Sequence, residues 1–288
     1  MRSNAIKLAH IIAAALFLIL FNPCIDANAQ GRSKFGNRYV NPFGNLSITA
    51  GAGVAYYMGD LQDGVNMKHL GLGPSISVGA LYRLTEHFSA RGELRFYKIS
   101  ADQQYSKNFQ NNLSFKTFNP DINLGIKADL FSFNRQAPVN PYLIGGIGFT
   151  LLNPKAEIDG AWHSLAPLTT EGVKYNRLPL VFTAGIGVSF KTTDRLSLGV
   201  ELCNNFMNSD YLDDVSTVYP NPDQLSSDLA RRLSDRAPEI GEPARQPGFS
   251  RGSAKSKDSY LFLQVRAAYL IGNRTEAKER KKTRCPKF

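Results

Sequence analysis

The sequence predicts an all-β protein, an eight-stranded antiparallel transmembrane β-barrel with short periplasmic turns and long extracellular loops. Three observations predict this fold. Apolar and polar residues alternate with period two along the chain, as they do in half-buried strands. The strand-like segments are even in number, and after the first connection they are joined by alternately short and long ones, the habit of outer-membrane barrels. After residue 29, no apolar run has the length of a membrane helix.

The N-terminal segment, residues 1–29, has the pattern of a secretory signal peptide. A basic start precedes an apolar stretch, and an Ala-Asn-Ala run follows it. We predict cleavage between Ala29 and Gln30, which leaves residues 30–45 as a periplasmic N-terminal segment. Lipidation of Cys24 is the alternative, but the residues before it are not the small ones that a lipidated cysteine requires.

Eight segments carry the strand pattern, and together they define a predicted barrel over residues 46–271. Their bounds are 46–58, 71–84, 87–99, 115–131, 141–152, 178–191, 195–208 and 258–271. The connection between the third and fourth segments and those after the fifth and seventh are long. The ones after the second and sixth are very short. An even strand count returns the chain to the side on which it started, so the C-terminal tail is predicted to be periplasmic.

Each segment has one apolar and one charged face. In the third segment Phe88 and Leu94 share a face, whereas Arg91 and Glu93 lie on the other. Such a sheet either packs its apolar face against a second sheet, as in a soluble sandwich, or turns that face to lipid and its polar face into a barrel. The alternation of short and long connections favours the membrane barrel.

The charged faces supply a set of residues predicted to point into the barrel. An eight-stranded barrel is just wide enough for its own side chains to fill it, and buried charges need partners. The predicted lumen charge network balances four cations against four anions: Arg91, Arg95, Lys127 and Arg266 with Glu93, Asp121, Asp129 and Glu201. The sequence therefore predicts a lumen plugged by ion pairs and not an open pore.

Aromatic residues near the strand ends fit a membrane interface, where amphipathic rings are favoured. The set is Tyr57, Tyr82, Phe88, Phe131, Phe149, Phe190 and Tyr269. Because aromatic residues also favour strands in general, each one alone is weak support for the membrane interpretation.

Patterns typical of enzymes do not occur in the sequence. The histidines form no HExxH pair, and there is neither a GxSxG nucleophile turn nor a GxxxxGK phosphate loop. Gly145, Gly146 and Gly148 lie inside a strand pattern, where they allow a neighbour to approach closely. We therefore expect no enzymatic activity, no catalytic residue, no metal, no cofactor and no small-molecule substrate.

The formal net charge of +10 is concentrated in the tail, residues 272–288, where basic residues outnumber acidic ones. A solvated tail is the simple interpretation of such a charge run, and a docking arm for a periplasmic partner is the alternative. Nucleic acid is not an expected partner, because the predicted compartment lacks it.

An acidic stretch, residues 208–222, opens the longest connection with the sequence NSDYLDDVSTVYPNP. We interpret Tyr211, Asp213 and Asp214 as a loop-ordering motif in which the aspartates bond their own backbone in Asx turns and the tyrosine packs at the rim. Two alternatives remain: ion pairs with basic residues of the same or adjacent loops, such as Arg231, Arg232 or Arg251, or a bound divalent cation.

An ordered series of short motifs resembles one known family. The series consists of 57–61 (YMGDL), 142–147, 149–156, Trp162 with 165–168, 170–172 (TEG) and 211–216 (YLDDVS). In this order and over residues 46–271, the sequence resembles the PorG-like outer-membrane barrels of Bacteroidota. The tail beyond residue 271 departs from barrels that end on an aromatic residue of the last strand.

The resemblance implies a role in the type IX protein secretion system. PorG-like proteins are integral to the outer membrane and in contact with its lipids. They look like outer-membrane anchors for a large periplasmic ring, which is built from a lipoprotein (PorK) and a second ring protein (PorN). On this interpretation the protein is a non-enzymatic secretion component. The alternative is a small structural barrel of the OmpA/OmpX kind or a passive channel, unrelated to secretion.

Overall fold

Antiparallel strands make up most of the chain that the computed structural model describes, which is residues 43–62, 71–135, 137–253 and 257–272. These residues lie in the second of two compact units, Val40–Phe288. In chain order the strands are β1 Leu46–Met58, β2 Gly73–Arg83, β3 Phe88–Asp102, β4 Ser114–Asp129, β5 Val139–Thr150, β6 Lys155–Ile158, β7 Ala161–Ser164, β8 Leu180–Lys191, β9 Leu196–Met207 and β10 Ser259–Gly272.

Eight of these strands close into a barrel, and the predicted fold class is confirmed. β1 to β5 pair in chain order, β5 pairs with β8, β8 with β9, β9 with β10, and β10 with β1. Every pairing is antiparallel, and the closing register runs from Leu46 opposite Gly272 to Met58 opposite Ser259. Because the ring closes, none of the eight strands has an unpaired edge.

The connections separate the two ends of the barrel. Three of them, 84–87, 130–138 and 192–195, leave the end that we call the turn end. The others leave the opposite end, which we call the loop end, and they span 59–72, 103–113, 151–179 and 208–258. The strand bounds agree closely with the predicted ones, and the largest difference is at β3, which ends at Asp102 and not at residue 99. The predicted signal peptide 1–29, its cleavage site and most of the tail 272–288 lie outside the described residues and stay predictions.

Two elements of the loop end were not predicted. β6 and β7 form a hairpin around Asp159 and Gly160, both of which have positive φ. An Asp-Gly pair between strand-like residues is a strong hairpin signal, so this hairpin could have been found from the sequence. A short helix, α1 Asp228–Ser234, begins where the Ser227 hydroxyl accepts a bond from the Ala230 N–H.

The outer wall of the barrel is apolar. On β4, Ile122, Leu124 and Ile126 are each at least half exposed. A soluble sandwich would bury such a band, whereas a lipid-facing barrel requires it. Within the described residues, no helix is both long and apolar enough to cross a membrane.

Tyr57 does not belong to the exposed aromatic set in which the sequence analysis placed it. Tyr82, Phe88, Phe149 and Tyr269 are each more than a third exposed, but Tyr57 is fully buried inside the barrel. The reason is register: Tyr57 follows Thr49 at even spacing on β1, and Thr49 points inward.

Glycines on the inner wall make room for the side chains that fill the lumen. A Cβ at Gly187 would lie 2.4 Å from the Tyr142 ring, and one at Gly146 would lie 2.5 Å from the Asn123 side-chain oxygen. Any larger residue at these positions would displace its neighbour. The close approach expected for the glycine-rich part of β5 is therefore present at Gly146.

Candidate functional site

The middle of the lumen holds a cluster of two arginines and two glutamates, which we call the central cluster. Arg91 donates two parallel bonds to the carboxylate of Glu201, of 2.8 and 2.7 Å, and a third of 2.6 Å to Glu93. Arg266 lies 2.5 Å from Glu93 and 3.5 Å from Glu201. All four side chains are buried. Because two charges of each sign share these bonds, the buried cluster is electrically balanced.

Towards the loop end, Arg95 and Asp121 form a second buried pair. The Arg95 Nε–H donates a hydrogen bond of 2.8 Å to the Asp121 carboxylate. Another N–H of the same guanidinium donates one of 3.1 Å to the side-chain oxygen of Asn205. The hydroxyl of Tyr260 donates 2.5 Å to the other oxygen of Asp121. The guanidinium also lies over the ring of Phe262, at 4.9 Å. Each charge therefore has several partners.

Towards the turn end, Asp129 forms ion pairs with two cations. Lys127 Nζ lies 2.8 Å from one carboxylate oxygen, and Arg83 lies 2.6 Å from the other. Arg83 was missing from the predicted network because it stands at the last position of β2, where a turn could equally have begun. Its even spacing from Ser75 on the inward face of β2 was the signal that could have found it.

The structure therefore brings the eight predicted charges together in three groups along the barrel axis and adds Arg83 as a ninth. Asn123, Thr183 and Asn205 extend the group of Arg95 and Asp121 by side-chain hydrogen bonds of 2.8 and 2.7 Å. The arrangement holds the charges in place by bonds that cross the lumen between different strands. What it does chemically is to seal and rigidify the barrel.

We expect the purified barrel to give no stable ion currents in planar bilayers. Its eight strands leave room only for side chains, and ion pairs join those side chains across the lumen. Current recordings at several voltages, with a large porin as the positive control, test this expectation. Long-lived currents of porin size would contradict it.

Above the charges, the lumen is closed by a layer of packed aromatic rings. Tyr97 stacks on Tyr260 with ring centres 4.7 Å apart, and Phe262 meets Tyr97 edge-on at 5.2 Å. Tyr57 meets Phe115 edge-on at 4.9 Å. All five side chains are buried. This layer separates the polar lumen from the loops and extends into their apolar residues.

Asp213 attaches the longest connection to this aromatic layer. Its carboxylate accepts a hydrogen bond of 2.5 Å from the Tyr57 hydroxyl and one of 3.0 Å from the N–H of Val215, two residues further on. The second bond is the Asx turn that the sequence analysis expected. Asp258, directly before β10, accepts 2.9 Å from the N–H of Leu212, so both ends of the 208–258 connection are held together here.

Asp214 has a different role from the one expected for it. Its backbone has a positive φ, and its carboxylate accepts bonds from the hydroxyls of Thr170 and Tyr175, the latter at 2.8 Å. It therefore bonds to the 151–179 connection and not to its own backbone. Tyr211 stacks on Tyr175 with ring centres 4.4 Å apart and interplanar angle 6°, so the predicted tyrosine packing joins the same two connections.

Arg251 is the basic residue that ties the long connection down, although it does not pair with the aspartates. Its guanidinium lies 3.0 Å from the carboxylate of Glu171 and donates to the main-chain carbonyls of Asp214 and Ser234. Glu171 in turn accepts from the N–H groups of residues 216 and 217. In the sequence, Glu171 is distinguished only as part of the TEG motif, residues 170–172. We call these bonded loops the cap.

Arg231 and Arg232 do not pair with the aspartates of the acidic stretch, although Arg231 donates a hydrogen bond of 2.9 Å to the carbonyl of Pro222 at its end. Arg231 pairs with Asp228 on its own helix, and Arg232 pairs with Asp159 of the β6–β7 hairpin. The divalent-cation alternative has no support in the geometry either. Within the described ranges, no three His, Cys, Asp or Glu side chains are arranged to hold a metal ion.

The aspartates of the cap bind protons more tightly than free aspartates do. Burial, together with the nearby carboxylates of Asp60 and Asp210, raises the pKa of Asp213 well above its usual value. Burial raises the pKa of Asp214 to about 6 and that of Asp210 to about 7. For an acid whose pKa is raised in the folded state, stability is greatest at low pH and falls as pH rises through the folded pKa.

We therefore expect the cap to open more readily at pH 8 than at pH 5. Digestion of loop 208–258 by a protease active at both values measures the opening, and the Asp213→Asn variant should be less sensitive to pH because one proton-binding group is gone. Asp223→Asn, at an exposed site of the same loop, is the matched control. A cap that is more resistant at pH 8 would contradict the sign.

Comparison with protein families gives one match. A model of the outer membrane protein beta-barrel domain matches residues 13–214. No curated protein matches the chain.

Solved structures of small outer-membrane barrels are similar to this chain. Neisserial surface protein A is 13% identical, with 78% of this chain and 97% of that chain covered and a TM-score of 0.42. Ail of Yersinia pestis is 11% identical, with 79% and 98% covered and a TM-score of 0.39. OprG of Pseudomonas aeruginosa is 9% identical, with 80% and 97% covered and a TM-score of 0.37.

Proposed function

Because this chain belongs to the outer membrane protein beta-barrel domain family, we propose that it is a non-enzymatic outer-membrane component that docks a periplasmic protein ring of the type IX secretion system. Membership of the family makes it an integral protein of the outer membrane. In such barrels the short turns face the periplasm and the long loops face outward. The turn end is therefore the surface that a periplasmic ring can reach.

The observation that supports a docking role best is the sealed lumen. Buried ion pairs and a layer of packed rings fill the barrel from Asp129 at the turn end to Tyr57 at the loop end. A protein or solute could pass only if these contacts broke, and breaking a buried ion pair is costly. A barrel that transports nothing through its centre acts through its surfaces, which is the property an anchor requires.

The identity of the partner rests on the resemblance to PorG-like barrels. The motifs that carry it have structural positions in the cap: residues 170–172 and 211–216 are joined there through Asp214 and Arg251. On this proposal the partners are a periplasmic ring lipoprotein and a ring protein of the PorK and PorN kinds. The motifs support the assignment to PorG-like barrels. The docking surface itself is proposed to be the turn end together with the tail, residues 272–288.

Site-specific cross-linking in cells tests the proposal. A photo-reactive residue at Thr85, Arg135 or Asp194, each exposed at the turn end, should capture the ring lipoprotein or the ring protein. The same residue at Gln224, exposed at the loop end, is the control and should not capture them. Deletion of the gene should abolish secretion of type IX substrates. Normal secretion with an intact ring in the deletion strain would overturn the proposal.

A structural barrel of the OmpA/OmpX kind, without any secretion partner, is the second candidate. The sealed lumen is equally compatible with that role. The two candidates differ in the deletion strain: loss of envelope integrity with normal secretion favours the structural barrel, and loss of secretion with an intact envelope favours docking.

A further inference from the structure

A cavity of about 360 Å³ opens at the loop end between two connections. One wall is the 103–113 connection, which contributes Lys107 and its neighbours, and the other is the 208–258 connection, which contributes Arg245 and Phe249. Cavities of this size class hold small ligands. The cavity is separate from the lumen charges and from the turn end, so the proposed docking role makes no use of it.

Both walls are fixed by hydrogen bonds. Tyr219 and Phe249 belong to a short antiparallel ladder in which the Tyr219 N–H donates 2.8 Å to the Phe249 carbonyl and the Gly248 N–H donates 2.8 Å back. A further bond joins the two connections: the side chain of Asn112 donates a hydrogen bond of 3.2 Å to the Arg236 carbonyl, and Arg236 donates one of 3.0 Å to Ser114 of β4. A cavity held open in this way needs little reorganisation to bind a ligand.

The residues that line the cavity are basic or neutral, and none of them is acidic. Lys107 and Arg245 supply the positive charge. Asp235 is next to the lining residue Arg245 but is already bonded, since its carboxylate accepts from the main-chain N–H groups of Ala237 and Arg245. A negatively charged ligand is therefore favoured over a neutral or cationic one of the same shape.

Two polar atoms of the lining residues are buried without a partner in the described part of the chain. They are the hydroxyl of Tyr219 and the Nε of Arg245. Only 3% of the Tyr219 surface is exposed to solvent. Leaving buried donors unpaired costs free energy, and most such atoms in native proteins have partners. After small side-chain movements, a ligand with several hydroxyl or anionic oxygens would supply hydrogen-bond partners for both atoms.

The neutral lining residues specify the ligand further. Asn108, Gln110 and Asn111 present amides, which both donate and accept, and Phe249 presents a ring that is 57% exposed. Amides match the hydroxyl groups of a sugar, and an exposed ring can cover its apolar face by dispersion contacts. We propose that this cavity is an outward-facing binding site for an acidic sugar, a saccharide unit that carries a carboxylate or a phosphate.

Two sources could supply such a unit: the glycolipid of the outer leaflet, or a soluble polysaccharide outside the cell. The chemistry that the cavity recognises is the same for both. Because the cavity stands at the loop end, above the membrane-spanning strands, either source can reach it without crossing the barrel.

Titration of the full-length protein in detergent with small probes tests the site. The probes are glucuronate, glucose 6-phosphate, glucose and inorganic phosphate, and ligand-observed NMR or calorimetry measures their binding. We expect one of the two acidic sugars to bind at least tenfold more tightly than either glucose or inorganic phosphate. Equal binding of inorganic phosphate would overturn sugar recognition, and equal binding of glucose would overturn the role of the charge. Binding of no probe would overturn the site.

Variants connect the binding to the named residues. Arg245→Gln should weaken the acidic sugar about tenfold or more, and Phe249→Ala should weaken it while leaving inorganic phosphate unchanged. Arg232→Gln, an exposed arginine of the same connection outside the cavity, is the matched control. Protease resistance of the loops confirms that each variant keeps its cap. Wild-type binding by Arg245→Gln with an intact cap would overturn the assignment.

A competition arm distinguishes the two sources. The tightest acidic sugar is titrated into the protein in phosphatidylethanolamine nanodiscs with and without lipopolysaccharide. Weakened apparent binding with lipopolysaccharide supports the site and identifies the membrane glycolipid as the occupant. Undiminished binding supports the site and identifies a soluble glycan.

Discussion

Replacement of Glu201 by glutamine is expected to lower the free energy of unfolding by about 3–5 kcal/mol, the usual cost of removing one partner from a buried ion pair. Glu201 accepts two bonds from Arg91 and one of 3.1 Å from the Tyr142 hydroxyl, and it lies 3.5 Å from Arg266. Without its charge, two buried arginines share only Glu93. Urea titration of the barrel refolded in lipid vesicles measures the change.

A second substitution should recover part of this loss. In the double variant Arg91→Gln/Glu201→Gln, one cation and one anion are removed together, and the 2.5 Å pair of Arg266 and Glu93 remains balanced. We expect the double variant to be more stable than the sum of the single changes predicts, by about 1–3 kcal/mol, since residues of one network couple. Additive losses would contradict a balanced cluster.

The control for this prediction is an ion pair in solvent. Lys191 and Asp194 pair at 3.2 Å in the turn between β8 and β9, and Asp194 is fully exposed. Asp194→Asn should leave the urea midpoint of the barrel nearly unchanged, because water already screens the pair. A comparable loss in both variants would mean that burial is not what makes the central cluster strong.

Replacement of Arg251 by methionine is expected to open the cap while the barrel persists. The change removes the bonds to Glu171 and to the carbonyls of Asp214 and Ser234, and it leaves a buried carboxylate without its cation. A local loss of about 3 kcal/mol corresponds to roughly a hundredfold increase in the open population. Protease cleavage within 208–258 should accelerate accordingly when opening is fast relative to cleavage.

Arg232→Met provides the matched comparison. Arg232 is on the same connection and pairs with Asp159, but both side chains are more than half exposed. Its loss should change the cleavage rate less than about fivefold, since water screens an exposed ion pair. If Arg251→Met were cleaved as slowly as Arg232→Met, the cap would be held by its apolar contacts and not by Arg251.

The barrel could be predicted because apolar and polar residues alternate with period two along its strands, and this alternation depends only on the local sequence. The inward charges Arg91, Glu93 and Arg95 follow from that pattern, since alternate residues of a strand point to opposite faces. Tyr57 and Arg83 were assigned wrongly or missed for the same local reason. Both stand near a strand end, where the pattern stops and a side chain can face the lumen, the lipid or a turn.

The cap could not be predicted in the same way. Its bonds join residues far apart in the chain: Tyr57 with Asp213, Thr170 with Asp214, and Glu171 with Arg251. The Asx turn at Asp213 is local and was expected, whereas the partners of Asp214 depend on how two long connections fold over each other. The two walls of the cavity likewise come from different connections.

The sequence by itself determined the strand count, the closed membrane barrel and the set of charges that fill it, because alternation and loop length are properties of neighbouring residues. Only the tertiary structure decided which charge pairs with which, that Tyr57 faces the lumen, and that the buried middle of the acidic stretch, residues 212–216, bonds to the barrel and to a second loop. The physical reason is that a buried polar group needs a partner, and which partner it finds depends on the register and packing of segments distant in sequence.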